Sequence, residues 1–249
     1  MQRILGVLES VLGIDSRHLG ACHLYIHLTE AITEPRKAEA CADSIGNVIP
    51  GASHTNDMPY HESMLILASA SPRRHELLLV AGIDHAVRAA EIVEERHPDE
   101  PPARLVERLA EEKARAVPCS AEDVVLGADT IVCIDDLVLG KPTDDDDACR
   151  MLRLLSGRDH WVYTGICILA NGKTIRDVDS TRVSFERMGE NEIEEYTRSG
   201  EPRDKAGAYA IQGLGSKFVR SIQGCYQNVV GLPVSMVYRH LRDLPAHGG

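Results

Sequence analysis

Apolar residues recur along this chain in two rhythms. Met64-Leu65-Ile66-Leu67-Ala68 and Val124-Val125-Leu126 are unbroken apolar runs, the pattern of short strands buried on both faces. Ala103 to Val117 instead follows a helical period through Leu105, Val106, Leu109, Ala110, Ala114 and Val117. Glu76 to Ala81 reads as a helix packing Leu77, Leu78 and Val80, and Gly82 suits its stop. Ile131 to Leu139 alternates as a hairpin turning at Asp135-Asp136. Thr143 then caps a helix with Asp144 to Asp147 in its first turn, where the dipole favours acids. This capping explanation is preferred to a metal site for the Asp run. The helix runs to about Leu155 and stops at Ser156-Gly157. Trp161 to Ala170 and Lys173 to Glu186 form long strands around Asn171-Gly172, the strongest hairpin signal in the chain. Asn191 to Arg198 reads as a short helix, Phe218 to Ile222 and Tyr226 to Val230 as strands, and Pro233 opens a final helix.

Residues 1–63 differ from the rest. Met1 to Ile14 suits an amphipathic helix, and Asp43 to Tyr60 is rich in turn formers and reads as linker. Cys22, His23 and His27 lack a second pair at zinc spacing and read as incidental. This segment is therefore expected to be a poorly ordered extension of a domain spanning 64–245, dispensable for folding. Ile83 to Pro102 reads as a strand fragment and a flexible loop.

Composition narrows the functions. The chain has 249 residues, 43% hydrophobic, with a net charge of -11. Such a surface is not made for nucleic acid or anionic membrane. The seven Cys form no C-x-x-C pair, which predicts reduced thiols and a cytoplasmic setting. No apolar run approaches a membrane span, and no secretory signal pattern opens the chain. An acidic protein that binds an anion needs a local basic pocket, a divalent metal, or both.

Ser69-Ala70-Ser71-Pro72-Arg73-Arg74 is the best candidate for that pocket. Ser71 can cap the helix start and Pro72 suits its first position. A strand running into a helix N-terminus gathers free N–H groups and positive dipole ends. Arg73 and Arg74 oppose that dipole, which points to an anionic ligand; solvated surface is the alternative. Val124-Val125-Leu126 ends in Gly127-Ala128-Asp129-Thr130, a strand end followed by an acid, as at α/β active-site edges. Lys113 lies at the edge of its helix's apolar face, with a snorkelling surface lysine as the alternative. The chain has no G-x-S-x-G elbow, no Walker A loop and no Rossmann fingerprint. Carboxylates with Lys and Arg, plus Mg²⁺, are what cleavage of a phosphoanhydride requires.

These residues carry a resemblance. Ser69-x-Ser71-Pro72-Arg73-Arg74, Leu109-Ala110-x-x-Lys113-Ala114, Gly127-Ala128-Asp129-Thr130, Gly140-Lys141-Pro142, Leu155-Ser156-Gly157, Thr164-Gly165, Asp204-Lys205-Ala206-Gly207-Ala208-Tyr209, Ile211-Gln212-Gly213 and Val230-Gly231-Leu232-Pro233 look like the motifs of the Maf family, in order and spacing. They cover about Met64 to Leu244. The resemblance implies an α/β fold similar to the inosine triphosphate pyrophosphatases: a mixed twisted sheet with flanking helices, and two lobes around a nucleotide cleft. It implies a cytoplasmic nucleoside triphosphate pyrophosphatase that uses a divalent cation, Mg²⁺ or Mn²⁺, and leaves open a homodimer. Asp129 matches the family's proton acceptor. Arg73, Thr130 and Gln212 match positions linked to substrate choice. Ser69, Arg74, Lys113 and Lys141 match polar positions on the phosphate side, and Glu94 an acid associated with the metal. The residue before Glu94, usually acidic, is Val93 here, so Glu91 and Glu95 stay as alternatives. Pro72, Ala128-Asp129-Thr130 and Ile211-Gln212-Gly213 resemble the subgroup acting on dTTP and UTP, with the clearing of modified pyrimidine nucleotides as a further expectation. A sister specificity for 7-methyl-GTP or other modified nucleotides, and a nucleotide-binding regulator of cell division, are the alternatives.

Overall fold

The computed structural model describes residues 64–244, so the readings for Met1 to Ile14, Asp43 to Tyr60 and the Cys22, His23, His27 group lie outside the described residues. The first apolar run is strand β1 (Leu65–Ala68), buried throughout. Helix α1 (Pro72–Val80), the short β2 (Ala86–Val87) and helix α2 (Pro102–Ala116) follow. Strand β3 (Val124–Ile134) turns through Asp135, at φ 51°, into β4 (Leu137–Leu139). Helix α3 (Asp145–Leu155) leads into the long hairpin of β5 (Asp159–Ala170) and β6 (Lys173–Phe185). Asn171 and Gly172 at its tip have φ of 50° and 71°, as a type I′ turn requires. Helix α4 (Glu190–Arg198), the 3-10 turns Glu201–Asp204, Ala206–Ala208 and Leu214–Phe218, strand β7 (Val219–Gln223), and helices α5 (Tyr226–Val230) and α6 (Val234–Arg242) complete the order.

The strands form one seven-stranded mixed sheet in the order β2-β1-β3-β5-β6-β7, with β4 also on β3. β3 pairs with β5 along nearly its whole length, Val125 to Cys133. Its other edge is shared: β1 runs parallel to Val124–Gly127, and β4 runs antiparallel to Val132–Ile134. Ala128 to Ile131 therefore have no strand on that edge among the described residues. The same gap divides the core. Val124, Leu126 and Ala128 pack with Leu78, Ile166, Val237 and Leu241 in one lobe. Val132 and Ile134 pack with Leu152, Leu155, Phe185 and Tyr209 in the other.

Three sequence expectations are corrected here. The strand does not end at Gly127; it runs on to Ile134, so Asp129 sits mid-strand. Gly127 is present because α2 lies against the sheet there: a Cβ would meet Ala110 O, and Ala114 N at 2.8 Å. Asp144, not Thr143, is the N-cap of α3, its side chain accepting from Asp147 N at 2.8 Å. Tyr226 to Val230 is a helix rather than a strand. Its valines suggest a strand, but positive φ at Gly224 and Gly231 bounds a single helical segment, and Asn228 is buried by donating to Val162 O and Thr181 Oγ1.

His160 is 1% exposed, ringed by Phe185 and Tyr209, with Nε2 2.9 Å from Tyr209 Oη. Burial pushes its pKa down to about 4. The unfolded chain, with an ordinary imidazole, binds a proton more readily between about pH 6.5 and pH 4. Stability from the neutral buried ring is thus complete above that window and is lost as pH falls through it. We expect the protein to lose roughly 2 kcal/mol more stability between pH 7 and pH 5 than His160→Asn does. Urea unfolding of both proteins at the two pH values checks this; equal losses would sink it.

Candidate active site

A cavity of about 560 Å³ opens where β3 lacks its edge partner. Arg73, Arg74, Arg96, Lys113, Lys141 and Lys205 line it against the acids Glu94, Asp129 and Asp204. In a chain of net charge -11 this is a local inversion of sign, the basic pocket that an acidic protein needs to draw in a polyanion. Ser69, Thr130 and Gln212 also line it, so every site residue expected from the sequence meets around one cleft.

The wall of the cleft is a three-residue cluster. Lys113 Nζ lies 2.5 Å from Asp129 Oδ1 and 2.6 Å from Glu94 Oε1. Two glycines make the approach close. Gly127 sits under Ala110 and Ala114, and a Cβ on Gly165 would lie 2.6 Å from Glu107 N. Helix α2 therefore rests on bare sheet backbone, and Lys113, 8% exposed, reaches Asp129 on the strand below. Lys113 is not a snorkelling surface lysine. Of the three candidate glutamates, Glu94 alone lines the cavity.

The shared ammonium does not equalise the two carboxylates. Burial pushes the Asp129 carboxyl above its usual range, outweighing the charges of Lys113 and Arg74. Burial also raises Glu94, but there the hydrogen bond and charge of Lys113, with Lys141 and Arg74, prevail and hold it below the usual range. Asp129 is thus the stronger base and Glu94 the persistent anion.

Arg74 is 8% exposed and acts mainly as a strut. Nε donates to Gly231 O at 2.8 Å; Nη1 donates to Ala128 O at 2.9 Å and Ser69 Oγ at 3.0 Å; Nη2 donates to Thr130 Oγ1 at 3.0 Å. It ties the end of β1, the bare edge of β3 and the turn before α6 into one frame. Ser69 Oγ also accepts from Ser71 N at 3.2 Å, and the Ser71 side chain makes no cap bond. The first turn of α1 lines the cleft, and among the described residues no side chain caps its N–H groups. Arg73 reaches across the cleft, donating to Asp204 Oδ2 at 3.1 Å. Lys141 makes no ion pair with any described residue, and Gln212 is exposed on a turn.

Glu94 and Asp129 converge hard carboxylate oxygens on one point held by an ammonium. Completed by phosphate oxygens, the Glu94 carboxylate fits Mg²⁺ or Mn²⁺. Among the described residues no group of three His, Cys, Asp or Glu is placed to hold a metal, so the protein side chains do not form a closed cage.

The model of the Maf-like protein family matches residues 64–244, the whole of the described fold. The chain belongs to the Maf family. A protein of Koribacter versatilis named dTTP/UTP pyrophosphatase is 49% identical over 179 residues, covering 72% of this chain and 93% of that protein. Proteins of the same name from Bacillus cereus and Anaeromyxobacter dehalogenans are 48% and 50% identical, again over 72% of this chain and over 94% and 92% of their own lengths. Three parts of the Maf cleft escaped the sequence reading as site residues. Asp204 and Lys205 stand within a quoted motif and are recognisable only once Arg73 is seen to meet Asp204. Arg96 lies in the poorly patterned stretch after β2, where sequence offers no signal.

Proposed function

We propose that the chain is a nucleoside triphosphate pyrophosphatase that hydrolyses dTTP and UTP to the monophosphate and pyrophosphate. The Glu94–Lys113–Asp129 cluster on the wall of a basic cleft carries the reading. The names of the relatives and the pyrimidine-type motifs around Pro72, Thr130 and Gln212 support the substrate class. The proposal includes a divalent cation, a domain spanning 64–245 and a cytoplasmic setting; among the described residues no helix is long and apolar enough to cross a membrane. It does not require nucleic acid, and a homodimer is compatible with it.

The chemistry follows from the charges. Asp129 accepts a proton from a water molecule, aided by its raised basicity. The water oxygen forms a bond to phosphorus at the α–β bridge, the bridging P–O bond breaks, and the electron pair leaves with pyrophosphate. Lys113, Lys141 and the uncapped N–H groups of α1 offset the charge that develops on the phosphates. A bound divalent cation would supply further neutralisation, held by Glu94 and phosphate oxygens, which leaves Asp129 free to take the proton. Arg73, Thr130 and Gln212, all on the cleft lining, would select the nucleoside.

A nucleotide panel with Mg²⁺ and Mn²⁺ tests this reading. The highest specificity constants should fall on dTTP and UTP. A maximum on 7-methyl-GTP would replace the proposal with a sister specificity, and binding without turnover would replace it with a regulator. Within the panel, Arg73→Ala should lower the specificity constant by about 1.5–3 kcal/mol, the worth of a charge-assisted contact. An unchanged constant would reduce Arg73 to its ion pair with Asp204.

A further inference from the structure

Gln212 sits on a turn between two 3-10 segments, with no strand or helix to fix it. A side-chain clamp does so instead. On one side of the turn, Ala210 N donates to Tyr196 Oη at 3.0 Å. On the other, Leu214 N donates to Glu201 Oε2 at 2.9 Å and Gly215 N to Glu201 Oε1 at 3.0 Å. The halves are joined, because Tyr196 Oη donates to Glu201 Oε1 at 2.8 Å. The loop is shaped to these groups. A Cβ on Gly213 would lie 2.7 Å from Glu201 Oε1, and one on Gly215 would lie 2.6 Å from Tyr196 Oη.

The clamp is anchored. Tyr196 is 2% exposed, packed in the second lobe's core. Lys205 Nζ donates to Glu201 O at 3.1 Å. Burial raises the Glu201 carboxyl, but the Leu214 and Gly215 amides and the Tyr196 phenol prevail and hold it below the usual range, so it is ionised at neutral pH. Its acceptors are used inside the loop rather than on solvent. The same 3-10 turn, Glu201–Asp204, carries the carboxylate that holds Arg73.

We propose that Glu201, acting with Tyr196, is a positioning residue that sets where Gln212 meets the nucleobase. This rests on the pyrophosphatase reading above. Glu201 does not line the cleft, so its loss should act on recognition rather than on the proton transfer. A glutamine there keeps the volume but turns one acceptor oxygen into a donor facing an amide N–H. Tyr196→Phe keeps the ring and leaves Ala210 N without its acceptor.

The test uses the full chain with Glu201→Gln and Tyr196→Phe. KM for UTP should rise roughly tenfold, the scale of one lost hydrogen bond to the base, while kcat stays within about threefold. The preference for UTP over CTP should shrink by a similar factor. Amide hydrogen exchange over 210–215 should quicken in both variants. Unchanged exchange, an unchanged UTP to CTP ratio, or a loss confined to kcat would overturn the proposal. If Glu201→Gln does not fold, Tyr196→Phe decides alone. If the wild type does not turn over pyrimidine triphosphates, the function reading fails, and the exchange measurement still decides the clamp.

Discussion

Asp129→Asn should lower turnover by about 10²–10⁴-fold, the usual range for a positioned general base. Asparagine keeps the shape of the side chain and can still accept a hydrogen bond from Lys113. It cannot take the proton of the attacking water. Asp129 is 5% exposed, and burial already presses against its charge, so the neutral isostere gives the fold little reason to open. Lys113 keeps Glu94 as a partner 2.6 Å away. Turnover at saturating nucleotide and a thermal melt on the same preparation separate the two effects. Near wild-type turnover would remove Asp129 from the mechanism, and an unfolded variant would show that the charge serves the structure.

Gly127→Ala should destabilise the protein by about 3 kcal/mol or more, because the added methyl meets backbone rather than a side chain that can turn away. Ala114 N and Cβ would lie 2.8 and 2.9 Å from it, and Ala110 O lies closer still. Relief requires α2 to lift from the sheet, and α2 carries Lys113. The same variant should therefore loosen the Lys113–Asp129 contact and lose activity with stability. Gly140→Ala is the control, since a Cβ there meets nothing within 4 Å and the residue does not have positive φ. Its effect should stay within about 0.5 kcal/mol. Urea unfolding of the two variants decides the matter; similar stabilities would mean that the helix–sheet contact yields easily.

The elements that were legible in the sequence are those with a local cause. Asn171-Gly172 and Asp135 suit the positive φ their turns require, and the period of α2 marks its buried face. The misreadings have a long-range cause. Gly127 looks like a strand end because glycine weakens a strand; only the helix packed above it explains why the strand continues. The valines of Tyr226 to Val230 favour a strand, yet Asn228 buries its amide against β5 and β6, which sequence cannot foresee. The cleft residues were recognised from their motifs, but their division of labour was not. Arg73 and Arg74 are neighbours of equal charge, and only the fold shows one as a strut with four bonds and the other as a reach across the cleft. Glu201 carried no signal, since three of its partners are backbone amides or a phenol elsewhere in the chain.

The most direct measurement is ³¹P NMR of UTP incubated with the full-length protein and Mg²⁺. UMP and pyrophosphate should appear in equal amounts, with no UDP, as attack of an Asp129-activated water at the α-phosphorus requires. UDP with inorganic phosphate, or UTP that is bound and left intact, would contradict this expectation.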